Sequence, residues 1–593
     1  MDRFSDLPEH IIHHVMSFLP TKDAVRTSVL SKRFRSTWNS FPIIDFNQTC
    51  VSSFLRRRDG NVKERFLNFL SDSLRRRAPN TLLKKFRLHA FVPNTKSDNR
   101  IDEAINYALE HEVKELDLEI QARKINGKFT YKLPLILLPV KSVTLFKLKG
   151  FNLENLDLTK FSSIEEFRLE DCDGLKSLKI SNPQLQNLKI NSCSGLFQID
   201  IEESNLKTFS FKGKNSNRND QELKINMVGA KSVYNLELWR PSIGSKWFED
   251  YASELLLLEN LKLKGCNTLT NICIPSPSLK ALEICECNVL EEIEILAPKL
   301  ESFAYKGGSR RAAELLISDC KFLKNLELDY ANVTDQWVGN NVPELEFLEN
   351  LILSHCNMLE RIIISHEQLK SFQLIRCLRL EEAVIDGRNL VLFRYNGRLI
   401  RSLLSIDSPG LEAELILQIN QGTLTNADWY KGLRDFLGYF DHCKLLTINC
   451  TNMDVKYLIF PEYQRENLLP PLFDIKHLKV KVHKLPQDVL KLVKSLLWLS
   501  PLLEAISIIS NSEEKTIKFE YAKAKTMLAM EDMAMNLSCC QGRIIKCWRH
   551  CLSKVSMAKF DNSENERLME FFRREAVKLK TIVTAQTPSS ISK

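Results

Sequence analysis

A short apolar motif recurs along most of this 593-residue chain and constrains its fold more than any other feature. The motif is L-x-x-L-x-L, in which other apolar residues can replace each Leu. Because the pattern returns at a nearly fixed interval, the chain must be built from structural repeats that stack on one another. Indexed by their last apolar residue, the copies are Leu88, Leu118, Leu145, Leu169, Ile190, Phe211, Leu238, Leu263, Ile284, Tyr305, Leu328, Leu353, Leu374, Tyr395, Leu417, Ile448, Val480 and Ile508.

The interval between copies is 21 to 27 residues in the centre of the chain and lengthens toward both ends. This period is typical of leucine-rich repeats. The alternating L-x-L predicts a short strand with one buried face, and each strand should pair with its counterpart in the next repeat to form a parallel inner sheet. Six cysteines follow an indexed residue by three positions and should pack inside the turn: Cys172, Cys193, Cys266, Cys287, Cys356 and Cys377.

The 21-residue repeats contain a second apolar pair on the return path. These pairs are alternating, rich in β-branched residues and too short for a helix, so they predict short outer strands. Longer repeats have room for an occasional convex helix, of which residues 245–261 are the clearest case. The outer pairs are Leu178/Ile180, Ile199/Ile201, Ile272/Ile274, Ile293/Ile295, Ile362/Ile364 and Ala383/Ile385.

Composition excludes several classes of protein. The chain is 44% hydrophobic and 26% charged, which is ordinary for a globular protein. Residues 1–90 carry 17 Lys and Arg against 8 Asp and Glu, whereas the other 503 residues carry 66 of each, so we expect no nucleic-acid partner. The longest aliphatic stretch, residues 133–140, is too short to span a membrane. Charges near the N-terminus argue against a signal peptide, so we expect reduced thiols and a location in the cytoplasm, the nucleus or both.

The first forty residues follow a different pattern. Ile11, Ile12, Val15, Met16 and Leu19 recur at helical spacing, and Pro20 ends that helix. A second helix should begin near Thr21, and a third, basic segment should end near Trp38. A three-helix hairpin this short buries too little surface to be stable alone, so a partner or the repeats should complete its core.

Residues 4–45 contain the segments Asp6-Leu7-Pro8, Ile11-Ile12, Phe18-Leu19-Pro20, Ala24-Val25, Thr27-Ser28-Val29-Leu30-Ser31, Lys32-Arg33 and Trp38 in that order. This series resembles the F-box, closely in its plant form, although Phe34 stands where the family favours Trp. The resemblance implies docking onto the Skp-family adaptor of a cullin-based ubiquitin ligase. The adaptor-facing residues that it implies are Leu7, Pro8, Ile11, Ile12, Leu19, Val25 and Leu30.

Two further stretches carry a family pattern: the run WLSPLLEAISI at 498–508, and the tail from Cys540 with Cys547-Trp548, Cys551-Leu552, Val555, Phe560, Glu566, Leu568, Ala576, Leu579 and Ile582. With these residues the remainder resembles plant F-box/leucine-rich-repeat proteins, and the tail resembles their C-terminal FBD-type segment. We therefore expect an α/β fold: an F-box over residues 1–48, a helical linker over 49–81 and a leucine-rich-repeat solenoid over 82–515. That solenoid should have a parallel inner sheet, short outer strands and occasional convex helices. Residues 516–593 should form an FBD-like cap with a disordered tail, because a terminal repeat must cover its open edge.

No pattern predicts chemistry of the chain's own. The sequence contains no G-x-S-x-G, H-E-x-x-H or phosphate-binding glycine loop. Cys539, Cys540, Cys547, His550 and Cys551 are a local cluster of metal-ligand types, but their spacing is not that of a zinc site. We therefore expect a non-catalytic receptor without a cofactor or metal.

A target protein should bind the concave surface, where residues beside the inward apolar positions are exposed. Trp239 is the best single anchor because exposed aromatic residues favour interface hot spots. The sequence predicts a substrate receptor of an SCF-type (Skp-cullin-F-box) ligase, with a ligase-independent scaffold or a small-ligand receptor as alternatives. The candidate target-binding residues are Trp239, Lys262, Lys264, Glu283, Lys306 and Asp329.

Overall fold

Short strands separated by turns dominate the chain because apolar and polar residues alternate over short stretches, which gives each strand one buried face. The computed structural model describes residues 7–48, 62–92, 99–122, 124–125, 128–129, 131–133, 141–154, 156, 158, 161–214, 223–251, 255–308, 313–400, 402–405, 408, 410–419, 427–511, 513–522 and 547–585. The sequence-matched residues 4–6, the basic run 56–58 and the cysteines 539 and 540 lie outside the described residues.

The helices and strands of the described residues are as follows. The helices are α1 (Glu9–Ser17), α2 (Thr21–Thr27), α3 (Lys32–Ser40), α4 (Val62–Arg75), α5 (Asn99–Glu110), α6 (Ser245–Tyr251), α7 (Asp335–Asn341), α8 (Ala427–Gly438), α9 (Glu462–Asn467), α10 (Val489–Leu499), α11 (Trp548–Cys551) and α12 (Asn562–Glu575), with a 3-10 helix at Val455–Leu458. The strands are β1 (Ile43–Asn47), β2 (Lys85–Val92), β3 (Glu115–Ala122), β4 (Lys124–Ile125), β5 (Lys128–Phe129), β6 (Leu145–Lys149), β7 (Glu166–Glu170), β8 (Ser177–Asn182), β9 (Asn187–Asn191), β10 (Gln198–Ser204), β11 (Thr208–Lys212), β12 (Lys224–Asn226), β13 (Asn235–Trp239), β14 (Asn260–Lys264), β15 (Asn271–Pro275), β16 (Ala281–Cys285), β17 (Glu292–Leu296), β18 (Ser302–Lys306), β19 (Glu314–Ser318), β20 (Asn325–Asp329), β21 (Asn350–Ser354), β22 (Arg361–Ser365), β23 (Ser371–Ile375), β24 (Glu382–Asp386), β25 (Leu392–Gly397), β26 (Ser402–Ser405), β27 (Glu412–Leu417), β28 (Leu445–Cys450), β29 (His477–Val482), β30 (Ala505–Ser510), β31 (Glu513–Tyr521), β32 (Leu552–Ala558) and β33 (Thr581–Ala585).

The chain divides into two units, of which the first comprises Met1–Leu300 and Gly307–Cys320. Its inner strands pair in parallel in the order β1, β2, β3, β6, β7, β9, β11, β13, β14, β16. Two outer sheets, β8-β10-β12 and β15-β17-β19, are also parallel. Each repeat thus contributes one inner strand, and in the short repeats also one outer strand, to a core that neighbouring repeats share.

The second unit comprises Glu301–Lys306 and Lys321–Lys593. Its inner strands β18, β20, β21, β23, β25, β27, β28, β29 and β30 pair in parallel in that order. The outer sheet is β22-β24-β26. After β30 the pattern changes, because β31 pairs antiparallel with β30 and β32 antiparallel with β31, and β33 then adds in parallel. This antiparallel extension covers what would otherwise be the open edge of the last repeat.

The expected α/β class and the outer strands are confirmed. All six apolar pairs of the return path lie on outer strands, and the pairs of adjacent repeats are directly opposite each other, as with Leu178 and Ile199. The inner register is also as expected for most repeats: Leu169 lies opposite Ile190, and Leu353 opposite Leu374. The fixed spacing succeeded here because each strand meets the same strand of the next repeat.

Two indexed positions were wrong. Leu118 pairs with Leu148, so Leu148 and not Leu145 is the equivalent residue of β6. Tyr395 pairs with Leu415, so Leu415 and not Leu417 is the equivalent residue of β27. The predicted index Leu417 is therefore displaced by two residues from Leu415. In both stretches several apolar residues alternate with polar ones, so the sequence offers two registers that would bury a Leu. The neighbouring strand selects between them.

The expected domain boundaries need correction at both ends of the repeats. Within the expected linker, residues 49–61 lie outside the described residues, whereas α4 packs into the repeats: β1 pairs with β2, and the buried Phe46 packs against Phe69 of α4 and Phe86 of β2. The first repeat therefore begins at Ile43 and includes α4. At the other end, the expected boundary after residue 515 falls inside β31.

The convex helix expected over residues 245–261 is shorter than predicted. Helix α6 ends at Tyr251, residues 252–254 lie outside the described residues, and Leu261 is already on strand β14. The apolar run that follows α6 suggested a longer helix, but its last residues are needed to complete the next inner strand.

The six cysteines that follow an indexed residue by three positions, which we call the ladder cysteines, pack inside the turns, as expected. Cys172, Cys266, Cys287, Cys356 and Cys377 are buried free thiols. The Sγ of Cys172 donates to the carbonyl oxygens of Glu170 at 3.3 Å and Leu148 at 3.6 Å, so it joins two adjacent repeats. Cys193 is less completely buried.

Candidate adaptor-binding and target-binding surfaces

Helices α1, α2 and α3 form a helical hairpin whose bends are fixed by its sequence. Pro8 and Pro20 immediately precede α1 and α2, where a fixed φ suits a helix start and the missing N–H costs nothing. Ser31 caps α3, since its Oγ accepts a hydrogen bond from the Phe34 backbone N–H at 3.2 Å. These devices hold three short helices in a defined arrangement.

The inner face of the helical hairpin is a closed apolar core. Its buried members are Ile12, Met16, Ala24, Phe34, Trp38 and Phe41, and the partly buried Leu7, Val25 and Ile43 pack against them. The expectation that Ile12 faces an adaptor is wrong for this structure, because its side chain is only 2% exposed. Ile11 and Ile12 are adjacent on α1 and so point in different directions, and only packing shows which one is inside.

The helical hairpin also leaves large apolar side chains exposed. Val29 is 79% exposed, Phe18 75% and Leu30 72%, values that no core residue approaches. We call the following set the apolar patch: Ile11, Val15, Phe18, Leu19, Val29 and Leu30. Phe18, Val15 and Val29 were not among the candidate adaptor residues, although the helical spacing of Val15 could have revealed it. Exposed apolar residues gathered in this number are characteristic of an interface.

The remaining candidate residues lie at the margin of the helical hairpin. Pro8 is exposed, whereas Leu7 and Val25 are half-buried against the core. The backbone oxygen of Leu7 accepts a hydrogen bond from the Arg33 guanidinium, which ties the segment before α1 to α3. Of the seven candidates, six therefore keep exposed surface and Ile12 does not.

A buried guanidinium joins the helical hairpin to the repeats. Arg77 lies over the Trp38 ring at 5.1 Å and donates to the backbone oxygens of Trp38, at 3.1 Å, and Phe41. Burial lowers the pKa of Arg77, an effect that the nearby Tyr107 opposes. Arg77 is therefore a structural residue, unlike the exposed Arg75 and Arg76 beside it.

The target-binding candidates of the first unit lie on the exposed face of the inner strands. Trp239 is half-buried between Lys212 and Lys264, whose Nζ atoms lie 4.8 Å and 5.2 Å from its ring centroid. Parallel pairing puts the three residues in one row across β11, β13 and β14. This arrangement places an aromatic ring between two cations.

Ion pairs link the neighbouring candidates across strands. Lys262 Nζ is 3.2 Å from Glu283 Oε2, and Lys264 Nζ is 3.3 Å from Glu286 Oε1. In the second unit Lys306 Nζ is 3.5 Å from Asp329 Oδ2. Asp329 also contacts His355 Nδ1 at 2.8 Å, and that imidazole stacks on Tyr330 with 4.2 Å between centroids. The candidates Trp239, Lys262, Lys264 and Glu283 lie in the first unit, and Lys306 and Asp329 lie in the second.

A denser charge network in the first repeats was not predicted. Arg87 on β2 contacts Asp45 of β1 at 3.2 Å and Asp117 of β3 at 3.0 Å. Burial alone would raise the pKa of Asp117, but contacts with His89, Lys147 and Arg87 lower it below its usual value. The alternating signs at one strand position, read across repeats, could have revealed this network once the first repeat was placed at Phe46.

The potential metal ligands of the described residues do not cluster, and two of their buried thiols are poorly ionised. Within the ranges that the structure describes, no group of three or more His, Cys, Asp or Glu side chains is placed to hold a metal ion. Burial raises the pKa of Cys450 and of Cys443 to about 12, so these thiols are poor nucleophiles at neutral pH. Within the same ranges, no helix is both long and apolar enough to span a bilayer.

The fold defines a class of protein: a helical hairpin with an exposed apolar face followed by parallel leucine-rich repeats. Residues 4–46 match the model of the F-box domain, and residues 138–238 and 224–333 match that of the At1g61320/AtMIF1 LRR domain. The chain therefore has an F-box domain followed by leucine-rich repeats, and the resemblance to plant F-box/leucine-rich-repeat proteins is confirmed.

The chain is similar to several proteins of Arabidopsis thaliana. F-box/LRR-repeat protein At5g02910 is 30% identical over 34% of this chain and 42% of its own length. FBD-associated F-box protein At1g66310 is 28% identical over 43% of this chain and 56% of its own length. The putative F-box/LRR-repeat protein At3g18150 is 23% identical over 66% of this chain and 80% of its own length. The chain thus spans about half the length of the first two relatives.

Two solved structures show only remote likeness. The functional domain of InlJ from Listeria monocytogenes, which includes a cysteine ladder, has 14% identity and a TM-score of 0.19 over 57% of this chain and 75% of that one. A TLR13-ssRNA13 complex has 14% identity and a TM-score of 0.17 over 75% of this chain and 87% of that one. These scores are too low to support an inference, so the repeat fold rests on the observed strand pairing.

Proposed function

We propose that this chain is the substrate-recognition subunit of an SCF-type ubiquitin ligase. F-box domains generally bind Skp-family adaptors, and the adaptor would connect this chain to a cullin. The observation that carries the proposal is the apolar patch: six large apolar side chains stay exposed although the core beneath them is already closed. A chain that leaves so much apolar surface uncovered gains free energy when a partner removes it from water.

Leu7, Pro8, Ile11, Leu19, Val25 and Leu30 are the proposed adaptor contacts, together with Val15, Phe18 and Val29 from the apolar patch. Ile12 supports them from beneath. In the repeats, Trp239 with Lys212 and Lys264 would bind a target segment that carries carboxylates, because two lysines border one aromatic ring. Lys262, Glu283, Lys306 and Asp329 would add charge complementarity, which improves specificity more than affinity.

The chain would act without chemistry of its own. Its role would be to hold a target close to the ubiquitin-charged enzyme, which raises the effective concentration of the target lysines. A receptor of this kind would work in the cytoplasm, the nucleus or both. The free thiols of the ladder cysteines are consistent with a reducing compartment.

The decisive experiment measures adaptor binding by the full chain. The double variant Leu19→Ala/Leu30→Ala removes two exposed side chains of the apolar patch without opening the core. We expect its affinity for a Skp-family adaptor to fall at least about tenfold, because centrally placed apolar anchors dominate interfaces. The matched control is Leu82→Ala/Leu256→Ala, which truncates two exposed leucines outside the patch.

Isothermal titration or a quantitative pull-down would report the affinities. Unchanged binding by Leu19→Ala/Leu30→Ala would refute the proposed surface. If the unaltered chain failed to bind any adaptor, the repeats would instead serve a ligase-independent scaffold.

A further inference from the structure

A cavity of about 550 Å³ lies in the second unit, among α9, α10, α11 and α12. We call it the cap cavity, and the side chains that matter here are Arg465, Lys494, Trp498, Trp548, Arg549 and Phe571. Its volume is in the range of small-molecule sites. It is far along the chain from the helical hairpin, and the proposed ligase role makes no use of it.

Four cations and three carboxylates line the cap cavity, and among the described residues only one of these carboxylates, Glu575, forms ion pairs with the cations. Arg549 Nη2 lies 3.1 Å from Glu575 Oε2, and Arg574 shares the same carboxylate at 3.2 Å. Lys494 lies over the Phe571 ring at 5.2 Å. Arg465 and Lys494 form no ion pair within the described part of the chain, although the exposed Glu462 and Glu466 also line the cavity and act electrostatically on Arg465.

Two charged donors of the cap cavity also lack acceptors among the described residues. The Nε atoms of Arg465 and Arg549 are shielded from solvent, and no described residue accepts a hydrogen bond from them. Burial lowers the pKa of Arg465, and the neighbouring Arg549 cation lowers it further, while Glu462 and Glu466 act in the opposite direction. A buried charged donor without an acceptor is unfavourable. If these two side chains turned toward a bound anion, their Nε atoms would gain an acceptor and this free-energy penalty would be removed.

Aromatic side chains form the walls of the cap cavity. The rings of Trp548 and Phe571 are 5.6 Å apart, and the guanidinium of Arg549 lies 5.6 Å from the Trp548 ring centroid. The Nε1 of Trp498 donates to the backbone oxygen of Arg465 at 3.0 Å, which fixes α10 to α9. The cavity therefore combines a cationic region with flat apolar surfaces.

We propose that the cap cavity binds a small phosphate monoester, with the phosphate among Arg465, Lys494 and Arg549 and the organic group against Trp498 and Trp548. A guanidinium presents paired donors that match phosphate oxygens, and a doubly charged anion best compensates several cations. The site is independent of the proposed ligase role, since it requires neither the adaptor nor the helical hairpin.

The test uses phenyl phosphate as the probe and the full chain as the protein. We expect saturable binding, visible by calorimetry and as a change in tryptophan fluorescence. Arg465→Gln and Lys494→Gln should each weaken binding roughly tenfold or more, because each removes a charged donor. Arg361→Gln removes the same charge from an exposed outer strand and should leave binding unchanged.

Several results would overturn the proposal. They are no saturable binding of phenyl phosphate at millimolar concentration, equal binding by Arg465→Gln and Lys494→Gln, or tighter binding of benzoate than of phenyl phosphate. If Arg465→Gln alters the unfolding temperature of the free protein, Lys494→Gln decides, because the Lys494 head group makes only a ring contact among the described residues. A phosphotyrosine peptide that binds more tightly than phenyl phosphate would assign the phosphate to a protein side chain, and weaker binding of the peptide would assign it to a free metabolite.

Discussion

The helical hairpin and the exposed face of the inner strands differ in the kind of side chain that they expose to water. The hairpin leaves large apolar side chains in water, such as Val29 and Leu30, whereas the strand face carries charges that pair with the next repeat, such as Lys262 with Glu283. An apolar surface is relieved only by a partner, but a charged face is already satisfied by its own neighbours. The hairpin is thus suited to one permanent kind of contact, and the strand face to selective ones.

The comparison is sharpest at two apolar residues of the helical hairpin. Ile12→Ala should lower the free energy of unfolding of this region by about 2–5 kcal/mol, because it opens a cavity in a closed core. Leu30→Ala should change it by less than about 0.5 kcal/mol and should instead weaken adaptor binding. Hydrogen exchange of the α1–α3 amides measures both effects. Equal protection losses in the two variants would show that the apolar patch is part of the core.

On the strand face, a buried carboxylate should make the first repeats sensitive to acid. The pKa of Asp117 is lowered in the folded chain, so its contribution is fully present above the unfolded-state pKa of about 3.9 and is lost as the pH falls through the folded-state pKa. Asp117→Asn should lower the free energy of unfolding at neutral pH by about 1–3 kcal/mol and should make its decline in acid shallower.

Denaturant unfolding as a function of pH measures this effect. Glu202→Gln is the matched control, because Glu202 pairs with Lys179 at 2.8 Å on the surface and is well exposed. If Asp117→Asn left the pH dependence of the unfolding free energy unaltered, Asp117 would not be the source of the acid sensitivity.

The smallest effect belongs to the exposed charge pairs. Lys262 and Glu283 are each almost half exposed, so a double-mutant cycle with Lys262→Ala and Glu283→Ala should give a coupling of less than about 1 kcal/mol. The coupling should fall further as salt is added, since ions screen exposed charges. A larger, salt-resistant coupling would mean that the strand face holds its charges as tightly as the interior does, and the contrast with the helical hairpin would disappear.

Much of the repeat region follows from spacing alone. The outer strands, most inner registers and the buried positions of Cys266 and Cys356 could be predicted because each repeat meets a copy of itself. Spacing does not predict the first repeat, at Phe46, because no repeat precedes it in the array and its helix α4 lies where the sequence predicts a helical linker. The adaptor residues came from a motif, which identifies positions but not their burial, and so Ile12 was placed on the wrong side.

The sequence by itself determined that this chain stacks leucine-rich repeats behind a helical hairpin, because a fixed interval of alternating apolar residues has few other solutions. Only the tertiary structure decided which apolar residues of the hairpin remain in water and which cations gather around the cap cavity. The reason is that burial and charge pairing depend on segments far apart in the chain, as when Arg465 and Arg549 come to line one cavity.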